Sequence, residues 1–90
     1  MKEINLNGDK MLDKASTHGY LKEELVLPDY YGENLDALWD CLSTDFSSKK
    51  IIISNAAAII ENLGSYGESL IELFQEVASE NDRIEVVIKD

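Results

Sequence analysis

The spacing of hydrophobic and polar positions changes several times along the chain, and each change marks an element. Lys2–Leu6, KEINL, alternates as a half-buried strand does, and Asn7-Gly8-Asp9 is a turn. From Asp9 to Leu25 the character is mostly helical, with Asp13 or Ser16 as cap and Leu21 and Leu25 as an i, i+4 apolar pair. Gly19 weakens that helix by about 1 kcal/mol relative to alanine. Pro28, Asp29 and Gly32 are turn residues. Asn34 then suits an N-cap, and Leu35, Leu38 and Leu42 fall on one face of the helix that follows, which must be the buried one. Ser43–Lys50 is polar and reads as a loop. Ile51–Ile53 is a continuous β-branched run, the pattern of a strand buried on both faces. Ser54 or Asn55 can cap a short helix, Ala56–Leu63, that Gly64 stops. Ser65–Glu80 is a second amphipathic helix with Leu70, Leu73, Phe74 and Val77 on its apolar face. Asn81-Asp82 ends it, and Ile84–Ile88 is the last strand.

Strands separated by helices cannot be joined by hairpins, so the sheet should be parallel. Ninety residues hold one modest core, which makes residues 1–90 a single α/β domain. No apolar run approaches the roughly 20 residues of a membrane span. The N-terminus MKEINLNGDK has no signal-peptide core, and the single cysteine forms no internal disulfide, so a cytoplasmic protein is expected.

The polar faces are less easily explained by folding. Asp36, Trp39, Asp40 and Ser43 share one side of the helix after Asn34, with two carboxylates one turn apart. Glu68, Glu72, Glu76 and Glu80 repeat every fourth residue on the later helix. Each like-charge pair costs a few tenths of a kcal/mol. Eighteen acidic against eight basic residues give a net charge of −10. That excess disfavours nucleic acid and anionic membranes and favours a cationic partner, whose encounter the field would accelerate.

Catalytic chemistry finds little support. There is no phosphate-binding glycine loop, no CxxC and no HExxH, so no cofactor is expected. His18 is the only histidine and reads as a surface or half-buried structural residue; Cys41 reads as a packed small hydrophobe. Asp36 and Asp40 as an acid–base pair would need a concave site that one outward-facing helix does not offer. Asp36, Asp40 and Glu76 could bind a metal through oxygen, but EF-hand spacing is missing. Tyrosine and tryptophan beside carboxylates instead have the composition of a protein interface.

Glu24–Leu42, ELVLPDYYGENLDALWDCL, resembles the signature of barstar-type ribonuclease inhibitors, and the order of elements fits along nearly the whole chain. The resemblance implies a barstar-like fold, a three-stranded parallel sheet packed with about four helices. It also implies inhibition of a basic secreted ribonuclease of the barnase type, not catalysis, by a protein monomeric when free. Carried onto this sequence, Asp40 would occupy the enzyme's phosphate position and Asp36 would pair with a second cation. Tyr30 would stack on the enzyme. Asn34, Leu35 and Trp39 would frame the contact, Ser43 would contribute from the following loop, and Glu76 would add a peripheral pair. Where the family prototype continues with Thr-Gly-Trp, this chain has Ser43-Thr44-Asp45-Phe46, which keeps a hydroxyl and loses the glycine. Two other classes stay open at this point: a barstar-fold protein with a non-nuclease partner, and a small acidic enzyme or metal binder.

Overall fold

A computed structural model describes residues 2–90. The elements run β1 (Lys2–Asn7), a 3-10 turn (Gly8–Lys10), α1 (Lys14–Glu24), α2 (Leu35–Ser43), β2 (Lys49–Ser54), α3 (Ala56–Leu63), α4 (Ser65–Glu80) and β3 (Ile84–Ile88). The sheet has three parallel strands in the order β1-β2-β3, as the alternation of strands and helices requires. A helical pair fills each crossover, α1 and α2 in the first and α3 and α4 in the second.

The core lies between the sheet and the helices. Ile4, Leu6, Ile51, Ile53 and Ile84 point into it from the strands. Leu21, Leu38, Leu42, Leu70, Phe74 and Val77 meet them from α1, α2 and α4. The expected apolar face of α4 is therefore the buried one. Nine-residue α2 is too short to hold its shape alone. Complete burial of Leu38 and Leu42, about 1.5–3 kcal/mol each, fixes both its existence and its rotation.

Four expectations change. The long helix from Asp9 is broken. A 3-10 turn ends at Lys10, and α1 begins only after Asp13, whose Oδ1 accepts from the Ser16 amide at 2.7 Å. Ser16 is thus not the cap; its Oγ accepts from the Asp13 amide at 3.1 Å and closes a capping box. The loop after α2 is shorter than Ser43–Lys50, because Lys49 and Lys50 pair with Lys2 and Glu3 and belong to β2. Ile51–Ile53 is not buried on both faces. Ile52 is only half-buried and stands in register with exposed Asn5 and half-buried Val87, while Lys50 stands between Glu3 and Glu85. That side of the sheet is wet because its flanking strands supply polar partners there. Finally, Asn55 takes the cap position of α3 in the left-handed region, φ 55°, but makes no side-chain cap bond. Its amide instead donates to Asn7 Oδ1 at 2.8 Å and Asp9 Oδ2 at 3.2 Å, tying the ends of β1 and β2 together.

Gly64 ends α3 and starts α4 at once. Its φ of 60° and ψ of −133° suit glycine, and its amide donates to Ile60 O at 2.7 Å. The sharp reversal packs α3 against α4 and sets α4 beside α2, which positions the acidic faces of both helices together.

Candidate functional site

Helix α2 is built to be held still. Asn34 is extended, its Oδ1 accepts from the Ala37 amide at 2.8 Å, and its Nδ2 donates to Gly32 O at 3.1 Å. The side chain expected to frame a contact is thus also the cap that starts the helix. At the other end Thr44 Oγ1 donates to Asp40 O at 2.6 Å. Asn81, at the end of α4, donates from Nδ2 to both Leu42 O and Asp45 O at 2.9 Å. Beyond it Asp45 Oδ1 accepts from the Ser47 amide at 2.8 Å and from Ser47 Oγ at 2.6 Å, and Asp45 Oδ2 pairs with the buried Lys49 ammonium. Burial raises the Asp45 pKa, but the bonds from Lys49 and Ser47 outweigh it and hold the carboxyl below its usual range.

With Leu38 and Leu42 inward, Asp36 and Asp40 stand exposed one turn apart on the outer side. Leu35, Asp36, Trp39 and Glu76 come together along an open groove of ≈ 250 Å³ between α2 and α4, with Ser69, Glu72 and Leu73. Leu35 is half-buried, packed against the edge of the core and also lining this groove. Trp39 is half-buried between core and groove. Tyr30 is 87% exposed and stands over a different depression, beside Cys41, Thr44 and Asp45. Ser43 lines a third with Phe46 and Glu80. Asp40 lines none of the three and is exposed to solvent. An exposed helix face carrying two carboxylates one turn apart is suited to meet a cationic partner.

Cys41 is half-buried, and burial, with Asp40 and Asp45 nearby, pushes its thiol pKa up. A thiol held protonated is a packing group more than a nucleophile. Among the described residues no group of three or more His, Cys, Asp or Glu is placed to hold a metal ion. No described helix is long and apolar enough to cross a membrane.

Several residues that shape the site were not singled out for it from the sequence. Asn81 was legible only as a stop; its clamp on α2 spans two distant segments. Asn81→Ala would leave the Leu42 and Asp45 carbonyls without this donor and should lower stability by about 1–3 kcal/mol. A urea midpoint indistinguishable from wild type would contradict the clamp. Phe46, 79% exposed in the following loop with the Arg83 guanidinium 5.8 Å from its ring centre, is an aromatic that helical periodicity could not find. His18 is not at the surface or half-buried: it is 1% exposed, between Tyr31 and Tyr66. No local signal predicted this, since Tyr66 lies 48 residues away along the chain.

Comparison with known proteins bears on what this helix face meets. A family model described as Barstar (barnase inhibitor) matches residues 1–89. A protein of Bacillus subtilis (strain 168), named "Putative ribonuclease inhibitor YrdF", is 36% identical over 92 residues, covering 99% of this chain and 100% of that protein.

Proposed function

The chain belongs to the barstar (barnase inhibitor) family, and from that premise we propose that it inhibits a basic, secreted ribonuclease of the barnase type by filling its active site with α2 and the loop before it. The observation that carries this reading is the outward presentation of Asp36 and Asp40 on a short helix capped at one end by Asn34 and clamped at the other by Asn81. A ribonuclease must bind phosphate through cationic groups. A carboxylate at the same depth makes charge-assisted hydrogen bonds with those groups.

In this reading exposed Asp40 takes the phosphate position, and Asp36 pairs with a second cation. Tyr30, exposed beside the buried Tyr31, stacks against the enzyme. Asn34, Leu35, Trp39 and Ser43 border the contact, and Glu76 adds a charge across the groove from Asp36. A preformed, capped helix loses little conformational entropy on binding, which favours affinity. The protein acts as a plug and performs no turnover of its own; it is monomeric before it binds and cytoplasmic.

The charge of −10 should act chiefly on the encounter rate. Association with a basic ribonuclease is expected to slow by about an order of magnitude or more from low to high salt, with dissociation changing much less. Stopped-flow mixing over a salt series measures both. A salt-independent association rate would mean that the acidity serves only solubility.

A further inference from the structure

A second concavity lies apart from the acidic groove between α2 and α4. It is a depression of ≈ 510 Å³ at the end of the sheet where β1 and β2 begin, enclosed by those strands, the start of the α1–α2 loop and the end of α2. It shares no residue with the groove that Asp36, Trp39 and Glu76 line. Ile4, Leu25, Val26, Leu27 and Pro28 give it an apolar side, and its charged groups are Lys2, Lys49 and Asp45. Apolar walls with a few polar groups, in a volume of roughly 300–1,000 Å³, are the usual make-up of a small-molecule site.

Folding alone does not account for the two lysines. Lys2 and Lys49 are register partners, so their side chains leave the same face of the sheet side by side, one row before buried Ile4 and Ile51. Like charges on neighbouring strands repel. The Lys49 side chain is 9% exposed. An ammonium has three N–H donors, yet among the described residues Asp45 Oδ2 is the only hydrogen-bond partner of this one. Two donors of a buried cation are therefore left without a protein acceptor, which is costly unless something else provides one. Asp45 is already engaged: its Oδ1 takes both the Ser47 amide and the Ser47 hydroxyl.

The charge of the lining points the same way. Asp45 offsets one lysine and leaves Lys2, exposed at the rim. Two lysines against one aspartate make +1 here, on a protein whose net charge is −10. A single excess positive charge suits a monoanion better than a doubly charged phosphate, and the apolar side suits a hydrocarbon body.

We propose that this depression is a binding site for a small monocarboxylate with an apolar tail. The carboxylate accepts from the two remaining N–H groups of Lys49 and pairs with Lys2, while the tail lies along the side formed by Ile4, Leu25 and Leu27. The site belongs to the free protein and does not depend on ribonuclease inhibition.

The probe is hexanoate at neutral pH, followed through the nitrogen-15 amide shifts of the protein. Shifts that saturate at millimolar concentration are expected at Leu27, Cys41 and Lys49 and not at Asp36 or Glu76. Acetate has the charge without the tail and should bind at least about tenfold more weakly. Hexylammonium has the tail with the opposite charge and should leave those three amides unmoved. Lys2→Gln, at an exposed position, should weaken hexanoate about threefold or more. Asp45→Asn should tighten it about threefold or more, because the variant removes the carboxylate that competes for the Lys49 ammonium while Asn Oδ1 can still accept from Ser47. A purely structural Asp45–Lys49 pair would not produce that gain. Absence of saturating shifts with hexanoate, acetate binding as tightly, or equal shifts with hexylammonium would each overturn the proposal. So would unchanged affinity in Lys2→Gln, or a folded Asp45→Asn protein that binds hexanoate more weakly than wild type. The wild-type and Lys2→Gln arms decide the matter even if Asp45→Asn fails to fold.

Discussion

Asp40→Ala should leave the free protein as stable as wild type and take away most of its affinity for a barnase-type ribonuclease. The carboxylate is exposed on α2, on the side away from buried Leu38 and Leu42, and none of its side-chain oxygens forms a hydrogen bond among the described residues. Its one contact there, from Thr44, is to the backbone carbonyl, which alanine retains. Relief of the repulsion from Asp36 would even add a few tenths of a kcal/mol to helix stability. In the complex the same group would be desolvated against cations. Deleting it would strand those charges in a buried interface, a loss of about 2–5 kcal/mol in a range that already draws on complexes of this kind. Urea unfolding beside an inhibition curve separates the two effects. A variant that inhibits like wild type would remove Asp40 from the phosphate position. One that unfolds much more easily would mean that α2 is rotated from the orientation described.

Gly8→Ala should have the opposite profile, failing in folding before binding is reached. A Cβ at Gly8 would lie 2.1 Å from the Asn55 carbonyl oxygen and 2.9 Å from both the Asn55 carbonyl carbon and Ile59 Cγ1. The first two are backbone atoms of the turn between β2 and α3, where Asn55 is already left-handed. A flexible side chain could swing away; this turn can move only by pulling the end of β2 from β1. The expected cost exceeds about 4 kcal/mol, at the extreme of single substitutions. A domain of ordinary stability has about 5–15 kcal/mol in total. Circular dichroism with urea titration tests this, and a variant within about 1 kcal/mol of wild type would contradict the close packing of these two turns.

The contrast between these residues shows which parts of the molecule were legible in the sequence. Asp40 could be assigned to the outer side because α2 and α4 have regular apolar stripes, and a stripe fixes a helix's rotation whatever it packs against. The parallel sheet followed from alternation alone. The dense match in Glu24–Leu42 brought Tyr30, Asp36 and Asp40 forward together. Leu35 packs against the core but stays half-buried beside the groove, a difference along one helix face that spacing alone does not give. Ile52 misled because the burial of a strand's second face depends on its neighbours, here Asn5 and Val87. Gly8 against Asn55, Asn81 on the end of α2, and His18 between two tyrosines are contacts between distant segments. Each is made by a residue whose local reading, as turn, stop or surface histidine, was already complete.

The most direct test is a titration of a barnase-type ribonuclease with this protein at enzyme concentrations well above the expected Kd, following RNA cleavage. The account predicts a linear fall in activity that reaches zero at one inhibitor per enzyme, with Asp40→Ala leaving most of the activity intact under the same conditions. Undiminished cleavage with excess folded wild-type protein, across a panel of such enzymes, would contradict it.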